Sequence, residues 1–409
     1  MKKSNSALLE RQLLSDYEVG DFFLATPSRT LLGKGNFVNI YSDGETHKTL
    51  NDLTKIVSET IGKAKHDGNT NPTVVGALPF DNRTPARLFV PETLEISKPL
   101  NNKLEGEMEP AISPTYKIKS IPSPSEYVEG VEKGIQYIKA NHLKKIVLAR
   151  SLHLELPKKV NLKKLLHNLA INNKFGYTFA VDLSDKQNIE VPSKCKTLIG
   201  ASPELLVSKS GLKLTANPLA GSRPRSKDNT EDQRRANELL SSAKDLHEHN
   251  VVVQAVVNAL KPYCENLHVP DKPSLVNTET MWHLSTEIIG EIKDPLVSSL
   301  EIAYALHPTP AVCGTPTELA REIINEIEPF DRSFFTGMVG WCDAKGDGEW
   351  VVTIRCAEVE GNALKLFAGA GVVADSKPDE ELVETAAKFR TMLLAMGIEK
   401  ESLNLTLEG

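Results

Sequence analysis

The sequence predicts a mixed α/β (α+β) protein whose C-terminal third is an antiparallel meander. Segments with apolar residues at spacings of three and four alternate with short runs rich in β-branched and aromatic residues. Residues 335–342, 349–358 and 363–370 read as strands joined by Asp343-Ala344-Lys345-Gly346-Asp347-Gly348 and Glu360-Gly361-Asn362. Turns that tight make neighbouring strands antiparallel. With 409 residues, 40% hydrophobic and 25% charged, the chain could build one large α/β body with a substantial core, or two or three average domains.

The bulk properties remove several function classes. Net charge is −6, with basic and acidic residues mixed throughout, so no nucleic-acid partner is expected. No apolar run approaches the roughly 18 to 20 residues that span a bilayer, so no membrane segment is expected. Met1-Lys2-Lys3-Ser4-Asn5-Ser6 is basic but has no apolar run after it and does not read as a secretory signal. The five cysteines, Cys195, Cys264, Cys313, Cys342 and Cys356, are odd in number and lack C-x-x-C spacing. They read as free thiols of a cytoplasmic protein.

Residues 1–115 form a strand-rich part with few chemical candidates. Phe22-Phe23-Leu24, Thr73–Leu78 and Arg87–Val90 read as strands, and Asn51–Ala64 as a helix through Leu53, Ile56, Val57 and Ile61. Residues 95–124, rich in Pro, Asn and Ser, read as a connecting segment. Ser125 reads as the cap of a helix with Val128, Val131, Ile135 and Ile138 on one face. A strand follows from Lys145 to Leu156, which puts Lys145 at its entry, where a lysine is either merely solvated or chemically used. Thr197–Val207 reads as one strand in which Glu204 interrupts an apolar run after Pro203. Glu204 either faces solvent on an edge strand or is buried; if buried, it must be paired, neutral or functional, and a neutral carboxyl suits a general acid.

Asn217–Arg225 reads as a basic loop. After it a long helix is expected, with a capping box of Thr230 and Gln233 and a buried face through Ala236, Leu239, Leu240, Ala243, Asn250 and Val251. His247-Glu248-His249 lies within that helix. Adjacent helical residues point about 100° apart and cannot chelate one ion together, so Glu248 reads either as one oxygen ligand for a hard cation or as part of a solvated face. Met281–Ile292 reads as a strand and Leu296–Leu306 as a short helix.

Chemical candidates are densest from His307 to Lys388. His307-Pro308-Thr309-Pro310-Ala311-Val312-Cys313-Gly314-Thr315-Pro316 opens the stretch with residues that fix the backbone. Arg355 reads as a mid-strand arginine sharing a face with Val351 and Thr353, and it wants a carboxylate. Ala368-Gly369-Ala370-Gly371 and a Pro378-started helix follow. Glu381, Glu384 and Lys388 form one stripe of that helix, while Leu382, Val383, Ala386, Phe389, Leu393 and Leu394 supply its buried surface. The combination reads as a site for a small, anionic, metal-assisted substrate.

Lys145–Arg150, Gly200–Leu206, Lys244–His249, His307–Pro316 and Gly369–Lys388 together resemble the motifs of the chorismate-utilising enzymes, collinearly over about residues 120–395. The family includes isochorismate, anthranilate, aminodeoxychorismate and salicylate synthases. The resemblance is nearest to isochorismate synthases that feed catecholate siderophore pathways through 2,3-dihydroxybenzoate. It implies one large fold with antiparallel sheets inside and helices outside, made of residues 1–115 and a catalytic region 116–398, with 399–409 as a tail. It implies Lys145 as the base that activates water for attack at C2 of chorismate, and Glu204 as the acid that protonates the departing C4 hydroxyl. Mg²⁺ would be held by Glu248 and Glu384, with Glu381 close by through water. Arg355 would grip the enolpyruvyl carboxylate, and Lys388 with the backbone around Gly369 and Gly221 would complete the anion cradle. Alanine at Ala311, where ammonia-using and lyase relatives carry threonine, points to water as nucleophile. A longer polar loop near Ser184–Lys196 departs from the family pattern, and a monomer is expected. The alternatives are a salicylate-forming lyase and a catalytically silent chorismate-binding relative.

Overall fold

The computed structural model describes residues 13–41, 50–100, 108–173, 176–184 and 195–398. The expected tail at 399–409 and most of the polar loop after Ser184 lie outside them. Among the described residues, every strand pairing is antiparallel, in sheets of ten, nine and three strands. In the ten-stranded sheet Lys145–Glu155 lies next to one edge, which the short strands Gly314–Thr315 and Lys117–Ile121 form, and pairs on its other side with Ala363–Val372 from Ile146 to Glu155. Next come Cys356–Glu360, Lys196–Ser202, Tyr177–Asp182, Phe22–Ala25, Thr30–Lys34 and Thr93–Ser97. The nine-stranded sheet holds Leu205–Ser210, Gly348–Val352, Met338–Asp343 and Thr73–Leu78 at its centre.

Period-two alternation explains how the sheets stack. Phe22 and Leu24 point inward to a core shared with Val75, Val339, Trp341 and Val351 of the nine-stranded sheet. Phe23 and Ala25 point outward, where Leu165, Leu169, Phe389 and Leu393 of helices Leu162–Asn172 and Pro378–Met396 cover the ten-stranded sheet. Val57, Val252, Val256 and Leu300, on helices Leu50–His66, Ala243–Leu260 and Ser299–Leu306, cover the other sheet. The result is a sandwich of antiparallel sheets with helices outside, as the family resemblance implied.

Several boundaries move for identifiable reasons. The segment 95–124 is not only a connector: Thr93–Ser97 and Lys117–Ile121 are sheet strands, half exposed and therefore polar in sequence. Ser123, not Ser125, caps its helix, in a capping box with Glu126 and with Pro124 in the first turn. Asn217–Arg225 is mostly strand, Leu219–Pro224, paired with Met281–Ser285. The long helix expected after Thr230 is two, Asn229–Ser241 and Ala243–Leu260. Asp228 caps the first and Ser242 ends it while capping the second, so Thr230 caps nothing. Leu240, expected inside, is 40% exposed.

Candidate active site

Glu204 and Arg355 occupy equivalent places. The expected single strands 197–207 and 349–358 are each broken in two, and their halves belong to different sheets. Lys196–Ser202 pairs with Cys356–Glu360 in one sheet, Leu205–Ser210 with Gly348–Val352 in the other. Pro203 lacks an N–H for the ladder, and Arg355 turns the chain with φ of 52°. Ala201 N still donates to Arg355 O (3.0 Å) and Val352 N to Glu204 O (3.2 Å). A two-stranded ribbon thus passes from sheet to sheet, and at the crossing it presents one acid and one cation. Arg355 is not mid-strand and shares no face with Val351 and Thr353.

Glu204 is 3% exposed, which excludes the solvent-facing reading. Burial pushes its carboxyl up to about 7, against the pull of Leu219 N–H, 3.4 Å from Oε1, and of Lys145, Arg355 and Lys388. Its proton is therefore in play near neutrality. Arg355 is pulled down to about 10 by burial, but stays a cation at any ordinary pH.

Lys145 enters its strand fully buried, and its Nζ lies 2.9 Å from Glu248 Oε1. The contact is a charge pair without hydrogen-bond alignment. Gly371 makes room for it. A Cβ on that residue would stand 2.1 Å from Glu248 Oε1 and 2.9 Å from Lys145 Cε.

Helix Pro378–Met396 turns its polar stripe inward at its N-terminal half. Glu384 Oε1 meets Lys388 Nζ at 2.5 Å, and Lys388 also donates to Gly369 O at 2.7 Å. Glu381 is bonded to Lys244 Nζ at 2.7 Å. Burial and the neighbouring Glu384 raise Glu381 to about 7. In Glu384, burial is outweighed by Lys388, which holds the carboxyl below its ordinary range. Val383, expected in the buried surface, is 54% exposed instead.

One cavity gathers Glu204, Gly221, Glu248, Ala311, Arg355, Gly369, Glu384 and Lys388 on its walls. Lys145 is not among the lining residues but is buried against Glu248, which is, and Glu381 stands back from the cavity on Lys244. His283 and Ser222 also line it, and neither was singled out from the sequence. His283 Nδ1 lies 2.8 Å from Ser222 Oγ and its Nε2 lies 3.4 Å from Arg355 Nη2. Burial, with Arg355 nearby, drives His283 well below its ordinary pKa, so it is neutral. Arg355 can only donate, so Nε2 accepts and Nδ1–H donates to Ser222. A histidine inside an apolar strand was its only signal. His249, beside Glu248, is held by Ala220 O and Thr286 Oγ1 and is not a ligand candidate.

The cavity wall carries a protonatable carboxyl, the cations Arg355 and Lys388, and the further carboxylates Glu248 and Glu384, with the buried Lys145 against Glu248. A family profile described as "Chorismate binding enzyme" matches residues 87–397. The chain belongs to the chorismate-binding enzymes. It is 58% identical over 387 residues to isochorismate synthase DhbC of Bacillus subtilis, covering 95% of this chain and 96% of that one. It is 44% identical to the vibriobactin-specific isochorismate synthase of Vibrio cholerae, covering 92% of each. Among solved structures it resembles a protein assigned as the 2,3-dihydroxybenzoate-specific isochorismate synthase DhbC of Bacillus anthracis. There the TM-score is 0.88 at 54% identity, over 95% of this chain and 100% of that one. MenF of Escherichia coli shares the fold, with a TM-score of 0.77 at 20% identity, over 95% of this chain and 91% of that one.

Whether this chorismate-binding enzyme can hold magnesium is a question of donors. Glu248, Glu381 and Glu384 are hard oxygen ligands, and Glu248 and Glu384 both reach the cavity. Each is paired with a lysine, and no three acidic, His or Cys side chains converge on one point among the described residues. Magnesium takes one or two carboxylates and keeps several waters, so the donor set fits without such convergence.

Proposed function

We propose that the protein is an isochorismate synthase, a Mg²⁺-dependent hydroxymutase that converts chorismate to isochorismate. The observation that carries the reading is Glu204: a buried carboxyl raised to about 7, on the wall of a cavity that also holds Arg355 and Lys388. The relatives' names support the same reading.

In this mechanism Arg355 and Lys388, with the backbone at Gly369 and Gly221, grip the two carboxylates of chorismate. Lys145 takes a proton from water as the oxygen bonds to C2. Both conjugated double bonds of the ring shift, the C4–O bond breaks, and Glu204 gives its proton to the departing hydroxyl, so that water is both consumed and released. Glu248 and Glu384, with Glu381 close by, would hold magnesium, which would supply positive charge to neutralise the ring carboxylate. His283 orients Arg355 without exchanging a proton. Ala311 leaves the cavity wall without a hydroxyl, which favours water as nucleophile and a product that keeps its enolpyruvyl group.

The names of the Vibrio cholerae and Bacillus anthracis relatives support a product destined for 2,3-dihydroxybenzoate and a catecholate siderophore. We also take the protein to be a cytoplasmic monomer; its cysteines are free thiols, and light scattering tests the monomer. Incubation with chorismate and Mg²⁺, with chromatography of products and a parallel pyruvate assay, is expected to give isochorismate without pyruvate. Chelation should abolish turnover and added Mg²⁺ restore it. Salicylate with pyruvate would instead place the protein among the lyases.

A further inference from the structure

One edge of the strand Lys145–Glu155 has a gap beside the cavity. On that edge Gly314–Thr315 pairs with Ile146 and Lys145, and Lys117–Ile121 pairs with Glu155 to Ser151. Val147 N still reaches Cys313 O at 2.7 Å. There the loop turns away, and Val312 and Ala311 form cavity wall. Among the described residues no strand serves the next backbone groups, Val147 O and Ala149 N.

Two side chains do. Arg332 Nη2 donates to Val147 O and Nη1 to Val312 O, both at 2.8 Å, while Glu328 Oε1 accepts from Ala149 N at 2.8 Å. The pair closes on itself through Nε to Oε2 at 2.8 Å and Nη2 to Oε1 at 2.5 Å. Arg332 is 1% exposed and Glu328 7%. The guanidinium sits 4.7 Å from the Phe80 ring centre and 5.8 Å from that of Phe335.

We propose that Arg332 and Glu328 are positioning residues that stand in for a strand and fix the Lys145 strand against the Ala311–Val312 wall. Arg332 alone bridges the two carbonyls at which strand and loop diverge. Only a planar fork can serve both while staying bidentate to a carboxylate; a lysine would keep the charge and lose the bridge. The groups that grip substrate carboxylates, Arg355 and Lys388, lie outside this contact. The pair therefore acts on turnover more than on substrate affinity, touching the cradle only through Gly369, which pairs with Ala149.

The inference rests on the proposed chorismate chemistry, so wild-type turnover is measured first. In folded Arg332→Lys, kcat is expected to fall about tenfold or more with KM within about twofold, the signature of misplaced reacting groups. Wild-type kcat and KM in that folded variant would overturn the proposal, as would a raised KM with unchanged kcat. Should Arg332→Lys fail to fold, Glu328→Gln and Glu328→Ala make the same comparison. The glutamine keeps an acceptor for Ala149 N–H and should hold kcat within about threefold, while the alanine should lose about tenfold; equal kcat in the two would overturn it. If the wild type does not turn over chorismate, the functional reading fails by itself. Amide exchange then decides the positioning claim. Faster exchange of Val147 N–H in Arg332→Lys supports it, and unchanged exchange overturns it.

Discussion

Glu204 couples chemistry to stability through one proton. In the proposed reaction Glu204 can serve as the acid only when protonated, so kcat should decline as pH rises through about 7. Its folded pKa lies above the ordinary 4.5, so the folded state keeps the proton longer than the unfolded chain. Stability should therefore fall as pH rises from about 4.5 to about 7, by on the order of 3 kcal/mol, and this contribution then stays flat. Glu204→Gln removes both effects. Its turnover should drop by about 10² to 10⁴, while its melting temperature at pH 8 should exceed that of the wild type. A lower melting temperature at pH 8 would contradict the burial cost assigned to Glu204. Gly371→Ala tests the pair behind it. The added Cβ would meet Glu248 and Lys145, so turnover should fall about a hundredfold in a folded protein. At this scale the sequence was informative where a residue broke its surroundings, as Glu204 did among apolar neighbours. It was silent where the role depends on a partner far along the chain, as with Lys244 on Glu381 or His283 on Arg355.

Helix Pro378–Met396 shows why helical spacing can be read correctly and faced wrongly. The stripe of Glu381, Glu384 and Lys388 is where the spacing placed it, but it faces inward, and Val383 takes the solvent side. An apolar residue was the natural guess for the core because spacing gives relative direction only; the polar neighbours of the other elements decide which face goes in. Val383→Glu should accordingly change stability by no more than about 0.5 kcal/mol, measured by denaturant titration. Glu384→Gln should instead raise the Mg²⁺ concentration needed for half-maximal activity by about tenfold or more, read by titrating the metal at saturating chorismate. The broken strands were illegible for a related reason. Alternation continues through Pro203 and Thr353 in the sequence, and only the parting of two sheets shows that the chain has changed layer.

For the whole molecule, the hairpins of Met338–Asp343 with Gly348–Val352 and of Cys356–Glu360 with Ala363–Val372 were legible because tight turns are local; their division between two sheets, in place of one meander, was not, because strands far apart in sequence build each sheet. Phe22–Ala25 pairs with Tyr177–Asp182, and Thr73–Leu78 with Met338–Asp343. The family resemblance supplied what local pattern could not. The ribbon that joins the sheets has a mechanical consequence. A second ribbon, Thr30–Lys34 with Thr93–Ser97 leading into Val38–Tyr41 with Arg87–Val90, also passes between the sheets, so flexing of one sheet against the other pivots on the line through the two crossings, and both Glu204 and Arg355 are mounted on that line. Points on a hinge pin keep their separation while the leaves swing. The proton donor and the cation that would grip the substrate would thus stay in register during breathing, and the walls bearing Ala311 and Lys388 would do the opening.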